Sequence, residues 1–356
     1  MGTCGTHHGA GKFEVRNAQI ANMGRTTTDN IDSTVMSPNP AYNAQANQAQ
    51  MIVSHQGTNQ IARYALHAHH STVEVYFTGN AIVSNNGARD GIVVHNSRGH
   101  VIDNVIIGAN GTGIFLEDGT ETGPVKDNYI IGQGGGSRGG DDGRFSTSLG
   151  KDMAHGGFGI WCRGKLALVE GNHAEGHFGV APYAFFVHPN FISDKVVPDV
   201  AGTPPELAGK KLRDIEPTHT NGLQLQSYGG FKFNTAVATF KVGIDLSYFS
   251  VNENDNVGSI IEGASIKNLA SSGRGMSTTH SKIFTLDTVT LEGAVTPNTI
   301  TGIWCNNCNG CTLHTPNTTL VVTNVETVRG GNCSRGVTEN LYRMSRTKIF
   351  RRELLL

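Results

Sequence analysis

Short apolar segments recur along the chain, and each begins with glycine and ends with a polar residue. The copies begin at residues 91 (GIVVH), 113 (GIFLE), 159 (GIWCR), 222 (GLQLQ) and 302 (GIWCN). A second motif has asparagine directly after glycine or aspartate, at Asn80, Asn104 and Asn128, 24 residues apart each time, and again at Asn172. Several short strands in each repeat of this length are typical of a parallel β-helix, in which stacked repeats bury a continuous core. We therefore predict an all-β chain that folds as a right-handed parallel β-helix, a solenoid with long loop insertions.

Alternation along these predicted strands assigns their residues to two faces. One face is apolar or thiol throughout and should point into the core. The opposite face should present an outward column of Val93, Phe115 and Trp161 beside a second column of His95, Glu117 and Arg163. Stacked aromatic rings beside charged groups are typical of a carbohydrate-binding groove. The alternative is that these large side chains pack under a covering loop.

The pattern predicts one β-helix domain over residues 1–340, with a glycine-rich insertion near 133–155 and a proline-rich excursion near 182–217. Residues 341–356 end in basic and apolar side chains, and we expect them to form a C-terminal cap or tail. Insertions of this length commonly overhang a functional site.

The formal net charge of −1 removes the bulk electrostatic argument for binding nucleic acid. No run of about 18 apolar residues occurs, so we expect no membrane span. The first residues, MGTCGTHHGAGKF, lack the apolar core of a secretory signal and are typical of an internal segment behind an added start. We expect a secreted chain whose native signal peptide is not visible in this sequence.

Three of the six cysteines lie close together at C-x2-C-x2-C spacing: Cys305, Cys308 and Cys311. With Cys333 they could form a zinc or iron–sulfur site, one or two disulfides, or remain free structural thiols. Glycosylation sequons at Asn110, Asn317 and Asn332 favour an extracellular chain, and hence disulfides.

The segment RYALHAHH, residues 63–70, has the densest group of histidines. Alternation directs His67 and His69 outward, and Tyr64 toward the core. If one of these histidines lies beside His95 in the next repeat, and Glu117 follows, the groups form a stripe. Such a stripe could bind a divalent cation, perform acid–base chemistry, or line a solvated face. The next residue, His70, is interpreted as structural or as the strand end.

The segment LEDGTE offers carboxyl groups for catalysis. Asp118 precedes glycine and is an ordinary turn signal, whereas Glu117 closes a strand on the face of His95. A glycosidase needs two carboxyl groups about 5 to 9.5 Å apart, and the candidate pairs are Glu117 with Glu121 or with Asp90. A uronate lyase would instead need a cation or arginine to neutralise the substrate carboxylate.

With these motifs in order, the chain resembles the β-helix module of the cell-migration-inducing and transmembrane hyaluronidases and of fibrocystin-like proteins. That module has the pattern R-Y-P-x-H-F-H, then an apolar pair with histidine, then L-E-D-G-x-E. The counterparts here are Arg63, Tyr64, His67, His69, His95, Leu116, Glu117, Asp118, Gly119 and Glu121. Ala65 and Ala68 replace the proline and the aromatic residue of the pattern. The resemblance covers about residues 13–180.

The resemblance implies an extracellular protein that acts on polysaccharide, with hyaluronan as the nearest named substrate and hydrolysis as the activity. Our leading hypothesis is a glycoside hydrolase; the alternatives are a uronate-specific lyase and a non-catalytic carbohydrate-binding β-helix. The predicted catalytic residues are His95, Glu117, Asp118 and Glu121. The predicted substrate-binding residues are Arg63, Tyr64, Arg89, Phe115, Trp161 and Arg163. The predicted ligands of a divalent cation, calcium or zinc, are His67, His69, His95 and Glu117. Oligomeric state is left open.

Overall fold

The structure is a computed structural model, and it describes most of the chain up to residue 331. The described residues are 11–24, 34–43, 45, 50–57, 64–84, 90–109, 111–134, 157–164, 166–177, 183–187, 195–215, 230–239, 242–247, 259–267, 274–279, 283–287, 289–292, 300–306, 312–314 and 325–331.

Three long parallel sheets make up the fold. Sheet 1 contains β1 (Lys12–Arg16), β6 (Glu74–Thr78), β9 (Gly99–Ile102), β12 (Gly123–Lys126), β15 (Ala167–Glu170), β18 (Gly230–Lys232), β21 (Ser259–Glu262), β24 (Ile283–Asp287) and β27 (Thr312–His314). Sheet 2 contains β2 (Gln19–Ala21), β7 (Ala81–Val83), β10 (Val105–Ile107), β13 (Tyr129–Ile131), β16 (His173–Glu175), β19 (Thr235–Val237), β22 (Ser265–Lys267) and β25 (Thr290–Glu292). Sheet 3 contains β5 (Leu66–His69), β8 (Ile92–His95), β11 (Ile114–Leu116), β14 (Ile160–Cys162), β17 (Tyr183–Val187), β20 (Val242–Ser247), β23 (Arg274–Thr279), β26 (Ile300–Asn306) and β28 (Val325–Gly331).

Two smaller elements lie outside these sheets. The strands β3 (Val35–Pro38) and β4 (Met51–His55) pair as an antiparallel hairpin. The single helix among the described residues is α1 (Leu212–Ile215). No helix in the described part of the chain is long and apolar enough to cross a membrane.

The order of the strands is repetitive. From β5 to β27, successive strands pass through sheet 3, sheet 1 and sheet 2 in turn, and each sheet grows by parallel pairing of one strand per repeat. We name the passages between sheets the 1–2 turn, the 2–3 turn and the 3–1 turn. The prediction of an all-β chain is confirmed, and the parallel sheets are compatible with a β-helix or a similar solenoid. Four of the five predicted apolar segments form strands β8, β11, β14 and β26; the segment at 222–226 lies outside the described residues.

The core follows from the alternation of side chains along sheet 3. The residues assigned to the inner face are all buried in one apolar cluster: Ile92, Val94, Ile114, Leu116, Ile160 and Cys162. The parallel register places like positions above one another, as in the pairing of Ile92, Ile114 and Ile160. Each such side chain contributes about 1.5–3 kcal/mol through burial. The predicted inner face is therefore confirmed.

The 1–2 turn repeats a buried asparagine in five successive repeats. We call this set the asparagine ladder: Asn80, Asn104, Asn128, Asn172 and Asn234. At each step the Oδ1 of one asparagine accepts the backbone N–H and the side-chain amide of the preceding asparagine, at 2.9–3.1 Å. Each Nδ2 also donates to a backbone carbonyl, as Asn104 does to Phe77 at 2.9 Å. The residue before each asparagine has a φ of 53° to 68°, which favours glycine or aspartate.

The outward aromatic column is the first prediction that the structure corrects. Phe115 stacks on Trp161 at 4.6 Å between ring centroids, as predicted, but the two residues are only 1% and 3% exposed. They form a second apolar cluster with Val93, Phe158 and Val242, distinct from the inner core. They cannot offer a stacking surface to a polymer, and the alternative of packing under covering residues is the correct one.

The excursion predicted at 182–217 begins too early. Residues 183–187 form β17 in sheet 3, and the pattern missed this strand because no glycine opens it. Residues 195–215 form a small unit that we call the covering segment. Its apolar side chains pack on the outside of the repeat at Leu166, and they are Val197, Leu207, Leu212 and Ile215.

Other predicted features lie outside the described residues. They include nearly all of the insertion at 133–155, the tail at 341–356 and the three sequons. Cys162 is a free cysteine in the core. The side chains of the other five cysteines are outside the described part of the chain.

Candidate functional site

Imidazole and carboxyl side chains come together at the 3–1 turn, where the first three strands of sheet 3 end. The register pairs His69 with His95 directly. Glu117 follows β11, and its N–H donates to the carbonyl of Val94 at 3.0 Å, so it lies one repeat beyond His95. The predicted stripe of His69, His95 and Glu117 is therefore present.

His70 belongs to this group, and the sequence pattern missed its place there. It follows the last residue of β5 with a φ of 48°, and Asn96 follows β8 with a φ of 41°. The two side chains are in contact, with Asn96 Nδ2 3.2 Å from His70 Nδ1. The His70 ring lies 4.8 Å from that of His95. The interpretation of His70 as the strand end agrees with β5 ending at His69, but the sequence did not place its ring beside that of His95.

The remaining imidazoles pack against one another, with His67 and His95 partly buried and His69 exposed. Ring centroids are 5.3 Å apart for His67 and His69, 6.4 Å for His67 and His95, and 4.5 Å for His69 and His95. Burial, followed by the charges of the neighbouring imidazoles, lowers the pKa of His67 to about 4. The same causes lower the pKa of His69. The ring of His67 is therefore neutral near pH 7.

Two adjacent carboxyl groups flank the ring of His95. Its Nδ1 lies 3.5 Å from Glu117 Oε2, and its Nε2 lies 2.7 Å from Asp118 Oδ2. Burial acts to lower the pKa of His95, but the close contact with Asp118 and the charges of the two carboxylates outweigh burial and raise it. Burial also raises the pKa of Glu117. For Asp118, burial is outweighed by the close contact with His95 and by the hydrogen bond and charge of Lys195, so its pKa is lowered.

Lys195 completes the site from the covering segment. Its Nζ lies 3.2 Å from Asp118 Oδ2, and its side chain is 41% exposed. Leu212 of the same segment lies close to Gly119, where an added Cβ would approach it to 3.2 Å. The length of the excursion predicted that it overhangs a functional site, but nothing in the pattern identified Lys195 as the residue that reaches it.

Glu121 was predicted to be catalytic, and the structure gives it a different place. It is 2% exposed. Its Oε1 accepts the N–H groups of Asn96 and Asp118 at 3.0 and 2.7 Å, and its Oε2 accepts that of Gly119 at 2.7 Å. Burial raises its pKa to about 7. Because both oxygens are occupied by backbone, Glu121 holds the turn next to His95 rather than facing a substrate.

Asp90 does not supply a second catalytic carboxyl group. It precedes β8, whereas His95 ends that strand, so the two lie at opposite ends. Asp90 is 1% exposed, and its Oδ1 accepts the N–H of Thr112 at 2.7 Å. The pair of Glu117 with Asp90 is therefore excluded.

The structure places the predicted substrate-binding residues in different surroundings. Tyr64 meets His67 edge-on at 4.9 Å and packs on the second apolar cluster, because β5 begins only at Leu66 and alternation does not extend to it. Arg163 is half-buried one repeat beyond Glu117; burial lowers its pKa, while the charges of Asp118, Glu117 and Glu121 oppose that shift. It therefore faces carboxyl groups of the protein itself. Arg63 and Arg89 lie outside the described residues.

The predicted metal ligands form two overlapping groups instead of one. His67, His95 and Glu117 bring three ligand atoms within 4.8 Å of one another, and so do His69, His70 and His95. The predicted set of four is therefore not a single site, since His69 and Glu117 fall in different groups. The described site brings together the kinds of side chain that transfer protons and the kinds that ligate cations.

Comparison with known proteins gave no match to a protein-family model, a curated protein or a solved structure. The resemblance of the RYALHAHH and LEDGTE motifs to the hyaluronidase module therefore stays a prediction from the residues alone.

Proposed function

We propose that this chain is a secreted enzyme that depolymerises polysaccharide by glycoside hydrolysis, on a right-handed parallel β-helix. The reacting groups would be His95, Glu117 and Asp118. The observation that supports this proposal is the approach of Glu117 and Asp118 to opposite nitrogens of one imidazole, at 3.5 and 2.7 Å. Glycoside cleavage needs a proton donor and a second carboxyl group near one bond, and these residues provide both kinds of group in one place.

The position of the site also suits a polymer. The carboxyl ends of neighbouring strands form an edge that runs across the repeats, and the side chains there remain partly open, with His95 17% and Glu117 15% exposed. A site along such an edge could meet successive sugars of a chain. Lys195, at the rim, adds a positive charge suited to an acidic polysaccharide. The resemblance to the hyaluronidase module makes hyaluronan the first substrate to test.

The test is a panel of hyaluronan, chondroitin, pectin, alginate and neutral glucans, in which reducing ends and ultraviolet absorbance are followed together. New reducing ends without absorbance are the expected result with at least one acidic polymer. New absorbance would identify a uronate lyase, because elimination leaves an unsaturated sugar. Polymer binding without new chain ends would contradict an enzyme and favour a carbohydrate-binding β-helix.

Variants connect any activity to this site. Glu117→Gln and His95→Ala should each reduce turnover by about 10²- to 10⁴-fold, the usual contribution of a positioned acid or base. Glu175→Gln is the matched control, because Glu175 pairs with His173 at 2.8 Å on sheet 2, away from the 3–1 turn. Full activity in Glu117→Gln, or equal losses in the control, would place the reaction elsewhere.

A further inference from the structure

We infer that His67, His95 and Glu117 bind one divalent transition-metal ion, with a fourth position open to water or a ligand. Their ligand atoms lie within 4.8 Å of one another, and all three residues are partly buried. Two neutral imidazoles with one carboxylate are a common three-ligand set for zinc, whose sites with an open position retain one exchangeable ligand. This inference goes beyond the proposed function, because it depends on coordination geometry and not on any reaction with a glycan.

His67 supplies an independent observation. Its Nε2 is buried and has no hydrogen-bond partner among the described residues. A buried polar nitrogen without a partner costs free energy, and coordination of an ion would remove that cost. Its neighbours in space are the rings of Tyr64, His69 and His95, and none of these rings gives the nitrogen a hydrogen bond.

Asp118 lies against the ring of His95 where the outer partner of a metal ligand would lie, although the contact lacks the angle of a hydrogen bond. The His95 Nε2 contacts Asp118 Oδ2 at 2.7 Å, which leaves Nδ1 on the side of Glu117 Oε2, 3.5 Å away. A ligating histidine usually gives its second nitrogen to a carboxylate, which fixes the ring and increases its basicity. Lys195 holds Asp118 in turn, at 3.2 Å. The pair of Asp118 and Lys195 would therefore form the outer support of the site.

The second group, His69, His70 and His95, is less suited to an ion. His69 and His70 are exposed, the group has no carboxylate, and His70 Nδ1 is already in contact with Asn96 at 3.2 Å. The two groups share His95, and the first one offers it a carboxylate partner. Calcium prefers a shell of six to eight oxygens, whereas imidazole ligands favour zinc and related ions. Of the two ions predicted from the sequence, the geometry favours zinc.

Metal binding can be measured without any substrate. Protein freed of metal with a chelator is titrated with Zn²⁺ by calorimetry, and with Co²⁺ while its visible absorption is recorded. We expect one ion per chain and a visible band typical of four-coordinate cobalt. His67→Ala and Glu117→Gln should each weaken binding by at least about 100-fold, because loss of an outer partner alone costs about 10- to 100-fold. Asp118→Asn should weaken binding by about 10-fold.

His69→Ala and His70→Ala are the matched controls, because they remove imidazoles of the second group and leave the first intact. They should change the affinity by less than about 3-fold, well below the loss expected for an outer partner. Absence of binding by the parent protein, or loss of binding in these two variants but not in Glu117→Gln, would overturn the inference. Circular dichroism of each variant shows that it is folded, and Glu117→Gln keeps the test valid if His67→Ala does not fold.

The outcomes separate this inference from the proposed function. A chain that binds Zn²⁺ but cleaves no polymer would retain the metal site and lose the proposed activity. A chain that cleaves polymer and binds no ion would retain the proposed activity and lose the metal site. With an ion bound, His95 and Glu117 would both be ligands, so Asp118 would be the carboxyl group left to transfer a proton.

Discussion

Two turns of the fold stack side chains in the same way, but one turn stabilises the scaffold and the other forms the candidate site. The asparagine ladder in the 1–2 turn repeats one residue type, and each member is buried with its oxygen and its nitrogen hydrogen-bonded. The 3–1 turn stacks His69, His95, Glu117 and Arg163, four residues of three chemical types, and keeps ionisable groups partly exposed. In a repeat protein, identical and fully paired side chains indicate scaffold. A change of residue type at equivalent positions, with ionisable groups, indicates a site.

A variant of the asparagine ladder should give the largest effect on stability and is the strongest test of this comparison. Asn128→Ala removes the acceptor for the N–H of Asn104 and the donor to the carbonyl of Val101, both buried. Each unsatisfied buried group costs about 1–3 kcal/mol, so we expect a loss of about 4 kcal/mol in the free energy of unfolding. Denaturant titration measures it. His69→Ala, from the 3–1 turn, should lose less than about 1 kcal/mol, and equal losses would remove the distinction between the two turns.

The 2–3 turn offers a pH-dependent test. His177 is 1% exposed, neither ring nitrogen has a hydrogen-bond partner among the described residues, and burial, with the charge of His173, lowers its pKa to about 3. The unfolded histidine has a pKa near 6.5, so the unfolded state binds the proton first as the pH falls. Stability from this group is complete above pH 6.5 and is lost progressively toward pH 3. Between pH 7 and 4.5 we expect a loss of about 2 to 3 kcal/mol.

Replacing His177 with the residue found at the same position in the neighbouring repeat isolates its contribution to the acid sensitivity. Gln133 occupies the equivalent position one repeat earlier, because the register pairs Ile131 with Glu175. His177→Gln should therefore fit the turn and remove this share of the acid sensitivity. The measurement is the free energy of unfolding at pH 7 and pH 4.5 for both proteins. An unchanged difference between the two pH values would show that His177 is not responsible.

A smaller loss of stability is expected from substitution of Glu121, which lies between the scaffold and the candidate site. Glu121→Gln places an amide N–H₂ beside backbone N–H groups that now donate to a carboxyl oxygen, as Gly119 does at 2.7 Å. We expect a loss of about 2 kcal/mol in stability, together with lower turnover, because the same side chain holds the backbone of Asn96 and Asp118 next to the imidazole of His95. Denaturant titration and kcat measure the two effects. Loss of stability with unchanged kcat would limit Glu121 to the scaffold.

The inner face and the stripe could be predicted from the sequence, because both follow from alternation within strands and from repetition between them. Ile92 and Ile114 are inside, and His69, His95 and Glu117 form a column, for the same geometric reason. Prediction failed where this periodicity ends. Tyr64 and His70 flank β5 and do not obey its alternation.

Burial by distant segments could not be predicted either. Alternation shows which way Phe115 and Trp161 point, but not that Phe158 and Val242 pack against them. Lys195 reaches Asp118 across 77 residues of sequence, a contact that no local pattern specifies. Glu121 was assigned to catalysis because a carboxyl group two residues beyond a turn is visible in the sequence, whereas its three backbone donors are visible only in the fold.

The smallest expected effect tests whether the candidate site includes Lys195. Lys195→Met breaks a partly exposed ion pair, and exposed pairs contribute about 0–1 kcal/mol, so stability should change little. If Lys195 also meets an acidic polymer, KM should rise about 3-fold with kcat nearly constant, and the rise should shrink at high salt because charges in solution are screened. Lys232→Met is the matched control, because Lys232 lies 3.2 Å from Glu262 with 44% of its side chain exposed, nearly the values at Lys195. Equal KM values in the two variants would make Lys195 one more surface cation, and the chemistry of the 3–1 turn would then rest on its histidines and carboxyl groups alone.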